Sequence, residues 1–151
     1  MREILFRGKR VDNGEWVTGF YVHYDDTKDN HKDDCDYIVG IHTGEHFPFF
    51  EVIPETVGQF TGLTDKNGTR IFEGDIFKPF DDEICYVAWI EDFSTLGLMV
   101  HSTWIQKKLR KEISHFSKGW TYLTEYSINE LEIIGNSHDN PEFLKDGENN
   151  A

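Results

Sequence analysis

The chain has 151 residues, with 28 acidic and 15 basic side chains, a formal net charge of -13 and an aromatic content of 15%. A field of that sign repels nucleic-acid backbones and anionic membranes, so a nucleic-acid partner is disfavoured except at a local basic patch. A chain of this length can bury roughly 70% of its unfolded surface as one domain, and 12 Phe against 2 Met lean it toward sheet, because rings pack well on a pleated surface.

In chain order, Glu3 to Phe6 reads as a short strand. Asp12-Asn13-Gly14 follows as a hairpin turn and Trp16 to Tyr24 as the returning strand. Asp25 to Asp36 holds six aspartates against two lysines and almost nothing apolar, which predicts a solvated acidic loop. Tyr37 to Ile41 and Phe47 to Ile53 read as strands around a turn that carries His42 and His46. Pro54-Glu55-Thr56 interrupts them, and Val57 to Leu63 resumes.

The segment Asp65-Lys66-Asn67-Gly68 has Asp first and Gly fourth, the preference of a type I turn whose glycine takes a positive φ and forms a bulge. Strands are expected on either side, over Phe60 to Thr64 and Thr69 to Phe72. Glu73-Gly74-Asp75 then reads as a bend ahead of Ile76 to Phe80. Glycine permits that bend, and the short Asp75 carboxylate can accept its backbone N–H groups. Glu83 to Ile90, apolar on both faces, is the expected central strand, with Leu96 to His101 as its hairpin partner.

From Ser102 the period changes. Ile105, Leu109, Ile113 and Phe116 predict an amphipathic helix over Thr103 to Lys118. Trp120 to Leu123 and Leu131 to Ile134 read as strands, and Asn140-Pro141 as the cap and first turn of a short C-terminal helix. One domain over residues 1–145 and a frayed tail over 146–151 are expected.

Four candidate sites compete with plainer readings. Glu73 and Asp75 would share a strand face about 7 Å apart and could serve a small metal-dependent enzyme; the plainer reading is turn chemistry, since no partner histidine, lysine or phosphate loop accompanies them. His42 and His46, with His31 or Cys35, could hold zinc, but no fourth ligand is specified. Lys107, Lys108, Arg110 and Lys111 could dock an acidic partner or nucleic acid; a solvated helix face is the plainer reading. The acidic loop lacks the glycine of a calcium loop. No catalytic signature such as GxSxG, a Walker loop, GxGxxG or HExxH is present. No cofactor is therefore expected. Two cysteines without a CxxC, an N-terminus MREILFRGKR without an apolar core, and no membrane-length apolar run lead to the expectation of a soluble protein of a reducing cytoplasm.

The string PETVGQFTGLTDKNGTRIFEGDIF, Pro54 to Phe77, strongly resembles the signature of the YopX family of phage and prophage proteins. FRGKRVDNGEWVTGF, Phe6 to Phe20, and IIGNSHDNPEFL, Ile133 to Leu144, agree in order, with Ser137-His138-Asp139 the least typical part. The resemblance implies a small, mainly β protein with an SH3-like barrel; the additional hairpins, the amphipathic helix over Thr103 to Lys118 and the short C-terminal helix are read from the residues themselves. It also implies a phage or prophage accessory role in the cytoplasm of a bacterial host. It supplies no catalytic residues. Together with the missing enzyme motifs, it leads to the expectation of a non-enzymatic interaction module for a host or phage protein, with self-association left open.

Overall fold

The computed structural model describes residues 3–24, 35–40, 47–78, 84–91, 94–100, 120–122 and 130–145. They form two compact units, Met1–Gly62 and Leu63–Ala151. The protein is mainly β, built of antiparallel strands in two sheets, and among the described residues neither sheet closes into a barrel.

The first unit begins with β1 (Phe6–Lys9) and β2 (Trp16–Tyr24), joined by the expected turn. The Arg10 N–H donates to the Glu15 carbonyl at 2.9 Å and the Gly14 N–H to the Arg10 carbonyl at 3.0 Å. The Asn13 Oδ1 accepts from the Glu15 N–H, which holds the asparagine in the turn. These bonds set the register, Lys9 opposite Trp16 and Phe6 opposite Gly19. The strand expected over Glu3 to Phe6 is therefore displaced to Phe6–Lys9, because partners are counted back from the turn.

β3 (Cys35–Gly40) pairs with β2 from Gly19–Gly40 to Tyr24–Cys35, and β4 (Phe49–Val52) pairs with β3. Cys35 and Asp36, expected in the acidic loop, belong to the strand. Asp36 can be buried there because two side chains of β2 bond its carboxylate. β5 (Gly58–Thr64) follows a 3-10 turn at Pro54–Thr56 and pairs with β1. The end of β1 also meets β4: Arg10 bridges to Val52, the Val11 N–H donates to the Glu51 carbonyl, and the Ile53 N–H donates to the Lys9 carbonyl. This contact curls the sheet. Leu5, Ile38, Val52 and Phe60 are buried in this unit.

The second unit carries β6 (Arg70–Phe72), β7 (Asp75–Phe77), β8 (Cys85–Ile90), β9 (Thr95–Val100), β10 (Trp120–Tyr122) and β11 (Ile133–Asn136). Five of these form one sheet in the order β10-β9-β8-β7-β11, so β8 is the central strand, as its two apolar faces predict. Ile71, Phe77, Cys85, Val87, Leu96, Leu98 and Leu131 form the core. Burying a side chain such as Phe77 contributes about 1.5–3 kcal/mol.

β11 starts later than the expected Leu131 and runs on to Asn136. The Leu131 carbonyl is taken by the Lys66 N–H, while Gly135 and Asn136 pair with Ile76 and Asp75. Pro141–Leu144 is a single 3-10 turn with Pro141 at its start. Asn140 does not cap it with its side chain; its Oδ1 accepts instead from the Asn136 N–H. The helix expected over Thr103 to Lys118 and the tail 146–151 lie outside the described residues.

Candidate functional site

The motif residues that dominate the sequence occupy two turns of the second unit. In the first, the Asp65 N–H donates to the Thr69 carbonyl and the Gly68 N–H to the Asp65 carbonyl, with Gly68 at φ 79°. Asp65 is 5% exposed. Its Oδ1 accepts from the N–H groups of Asn67 and Thr69, both at 2.9 Å, and its Oδ2 from the Ile133 N–H at 3.2 Å. Burial pushes this carboxyl up, but the three backbone donors and the nearby Lys66 outweigh it, so it ionises below the usual carboxylate range. Lys66 in turn pairs with Glu132 at 2.8 Å, and the Asn67 side-chain amide donates to the same carboxylate. Besides its own internal bonds, the turn is fastened to the chain at the start of β11 through the Lys66 N–H, the Lys66 and Asn67 side chains and the Asp65 Oδ2.

The second turn is Glu73-Gly74-Asp75. Gly74 stands at φ 90°. Its N–H donates to the Val87 carbonyl at 2.8 Å, and its carbonyl accepts from the Ser137 N–H at 2.9 Å. The bend therefore binds β8 on one side and the Ser137 loop on the other. Asp75 is 1% exposed and its Oδ2 accepts from the Phe72 N–H at 2.8 Å. Glu73 is partly exposed. The carboxylate of Asp75 is thus directed into its own bend, as turn chemistry requires.

His42, His46, Lys107, Lys108, Arg110 and Lys111 lie outside the described residues. Among the described residues, no three His, Cys, Asp or Glu side chains gather where they could hold a metal ion.

What the motif reading misses is in the first unit. Beyond Gly19, β2 is exposed along its whole length, although Phe20, Tyr21, Val22 and Tyr24 are apolar or aromatic. The register aligns Phe20 with Val39 and then Phe49, and Val22 with Tyr37 and then Glu51, while Tyr24 faces Cys35. Directly opposed residues project from one sheet face. That face therefore carries three solvent-facing rings, with Phe20 54%, Tyr24 56% and Phe49 65% exposed. At its far end Arg7 and Lys9 lie over the ring of Trp16, at 4.7 and 5.8 Å.

The other face of the same hairpin is polar where it leaves the core. The Oδ1 of Asp36 accepts from the Tyr21 hydroxyl at 2.8 Å and lies 2.6 Å from the His23 Nδ1. Burial and the Asp36 carboxylate push the Tyr21 phenol up to about 12. Asp36 is buried while His23 is half exposed. This network tethers the outer part of β2 to β3 through side chains as well as the backbone ladder. The signal for it was legible in part: FYVHY, Phe20 to Tyr24, has the composition of a core strand without the polar alternation of a half-exposed one.

The model of the YopX protein family matches residues 5–145. The chain belongs to the YopX family. Among solved structures, the YopX-family chain is similar to the crystal structure of protein EF1440 from Enterococcus faecalis, at 18% identity and a TM-score of 0.49, covering 96% of this chain and 100% of that one. No curated protein matches it. Among the described residues no helix is long and apolar enough to cross a membrane.

Proposed function

We propose that this YopX-family protein is a phage- or prophage-encoded accessory protein, acting in the cytoplasm of a bacterial host as a non-enzymatic protein-interaction module. The observation that carries the reading is the aromatic face of β2, β3 and β4. Phe20, Tyr24 and Phe49 together leave on the order of 350 Å² of ring surface in water, taking about 200 Å² for a whole aromatic side chain. A single apolar patch of that size on one sheet is of the kind that serves binding. The first unit is read as an SH3-like module, and the contact of Arg10 with Val52, which bends the sheet back on itself, supports that reading.

The reading is tested by photo-crosslinking. Benzoylphenylalanine in place of Phe20 or Phe49 should give a discrete adduct in extract of a lysogenic host, and the same group in place of Ile134, an exposed residue of the second unit, should not. Equal labelling from all three positions would count against it.

A further inference from the structure

We infer that Asn13 is a site of spontaneous modification. In the folded chain its side-chain amide is converted to aspartate and isoaspartate, while Asn67, in the same Asn-Gly dipeptide, is protected by the turn that holds it.

The chemistry needs only water. The backbone nitrogen of the following residue attacks the asparagine Cγ. Ammonia leaves, taking the proton of that nitrogen, and a cyclic succinimide remains. Water then opens the ring. Cleavage of the bond to the Cγ carbonyl gives aspartate; cleavage of the bond to the backbone carbonyl gives isoaspartate, with the chain running through Cγ. No oxidant or reductant takes part. A following glycine favours the attack, because no Cβ shields its nitrogen and its backbone turns freely. Two asparagines of the chain precede glycine, Asn13 and Asn67.

Both begin from an unreactive arrangement. The Gly14 N–H donates to the Arg10 carbonyl and the Gly68 N–H to the Asp65 carbonyl, each at 3.0 Å. Attack therefore waits on local opening of the turn. The two turns differ in what opening breaks. Around Asn13 the bonds are local: its Oδ1 accepts from the Glu15 N–H at 3.0 Å and its Nδ2 donates to the Glu15 carboxylate at 3.1 Å. Asp12, Asn13, Gly14 and Glu15 are all exposed. The flanking anchors, Val11 on Glu51 and Trp16 opposite Lys9, lie outside the residues that must move.

Around Asn67 the bonds reach across the unit. The Asn67 N–H donates to the buried Asp65 carboxylate, which also takes the N–H groups of Thr69 and Ile133. The Lys66 N–H donates to the Leu131 carbonyl, and the Asn67 amide itself donates to Glu132 at 3.3 Å. Opening this turn leaves a buried carboxylate short of donors. One hydrogen bond to a charged group is enough to lower the open population about tenfold. Conversion at Asn13 also has a local effect. A carboxylate then meets Glu15 where the amide now donates to it, so a bond is exchanged for a like-charge contact.

The test incubates the full chain at neutral pH, folded and in parallel unfolded in urea. Peptide mapping by mass spectrometry follows both sites, with electron-transfer fragmentation separating isoaspartate from aspartate. In urea Asn13 and Asn67 should convert at similar rates, which sets the clock. In the folded chain Asn13 should convert about tenfold or more faster than Asn67. An Asp65→Asn chain, checked for folding by circular dichroism, should show a raised rate at Asn67 and the parent rate at Asn13. Equal rates in the folded parent chain, faster conversion at Asn67, or an Asn13 that stays intact while the unfolded chain converts would overturn the inference. So would an Asn67 rate indifferent to Asp65→Asn; if that variant fails to fold, the folded parent chain against the urea clock decides alone.

Discussion

The carboxylate of Asp65 accepts a hydrogen bond from the backbone N–H of Ile133, 68 residues further along the chain, at 3.2 Å. A residue that reads in sequence as the first position of a local turn thus also fastens that turn to the strand that closes the second sheet. Both carboxylate oxygens are engaged, Oδ1 locally and Oδ2 across the unit. Asn can offer only one acceptor oxygen and would place its amide against one of these donors. Asp65→Asn should therefore cost about 2 kcal/mol, and Asp65→Ala about 3 kcal/mol, in urea unfolding.

The same carboxyl makes acid stability a readable quantity. Its folded-state ionisation is lowered from 3.8, so its contribution is fully present above that value and is lost as pH falls through the folded one. Unfolding midpoints followed from pH 6 downward should drop less steeply in Asp65→Asn than in the parent chain; parallel curves would show that Asp65 is not the group responsible.

At Gly68 and Gly74, with φ of 79° and 90°, the backbone is left-handed. Gly68→Ala should destabilise the fold by about 1 kcal/mol through backbone strain alone, since open space surrounds the added Cβ. For Asp75, buried and bonded to Phe72, the Asn variant keeps one acceptor and should cost about 1 kcal/mol. Urea midpoints check both, and an Asp75→Asn chain as stable as the parent would remove its structural role.

In the first unit, Tyr21→Phe should cost about 1 kcal/mol by removing a donor to the buried Asp36. The phenol is raised to about 12, so the folded state holds its proton more tightly than the unfolded one. Stability therefore falls as pH rises from about 10 toward 12. Absorbance titration should show Tyr21 ionising late in the parent chain, and a Tyr21→Phe variant should lose that late-titrating phenol.

The sheet architecture was readable because its determinants are local. Asn13-Gly14 and Asn67-Gly68 announce turns, β2 was delimited residue for residue, and the two apolar faces of β8 give away a central strand. The roles of Asp65 and Gly74 were half legible. Their local turn bonds follow from residue type, but the Ile133, Val87 and Ser137 partners depend on strand order, which no local pattern encodes. In sequence Asp36 looks like loop because it sits at the end of an aspartate run. Only the register that puts Tyr21 and His23 beside it makes a buried carboxylate acceptable. The exposed aromatic face escaped for a related reason, since an apolar strand reads as core until the sheet shows that nothing described covers it.

The measurement that bears most directly on the account is site-specific photo-crosslinking at Phe49, the most exposed ring of the face. With benzoylphenylalanine at that position, a discrete protein adduct should form in host extract and disappear when Phe20 and Tyr24 are both changed to Ser. An adduct that survives those changes, or that forms equally from position 134, would contradict the assignment of binding to this face.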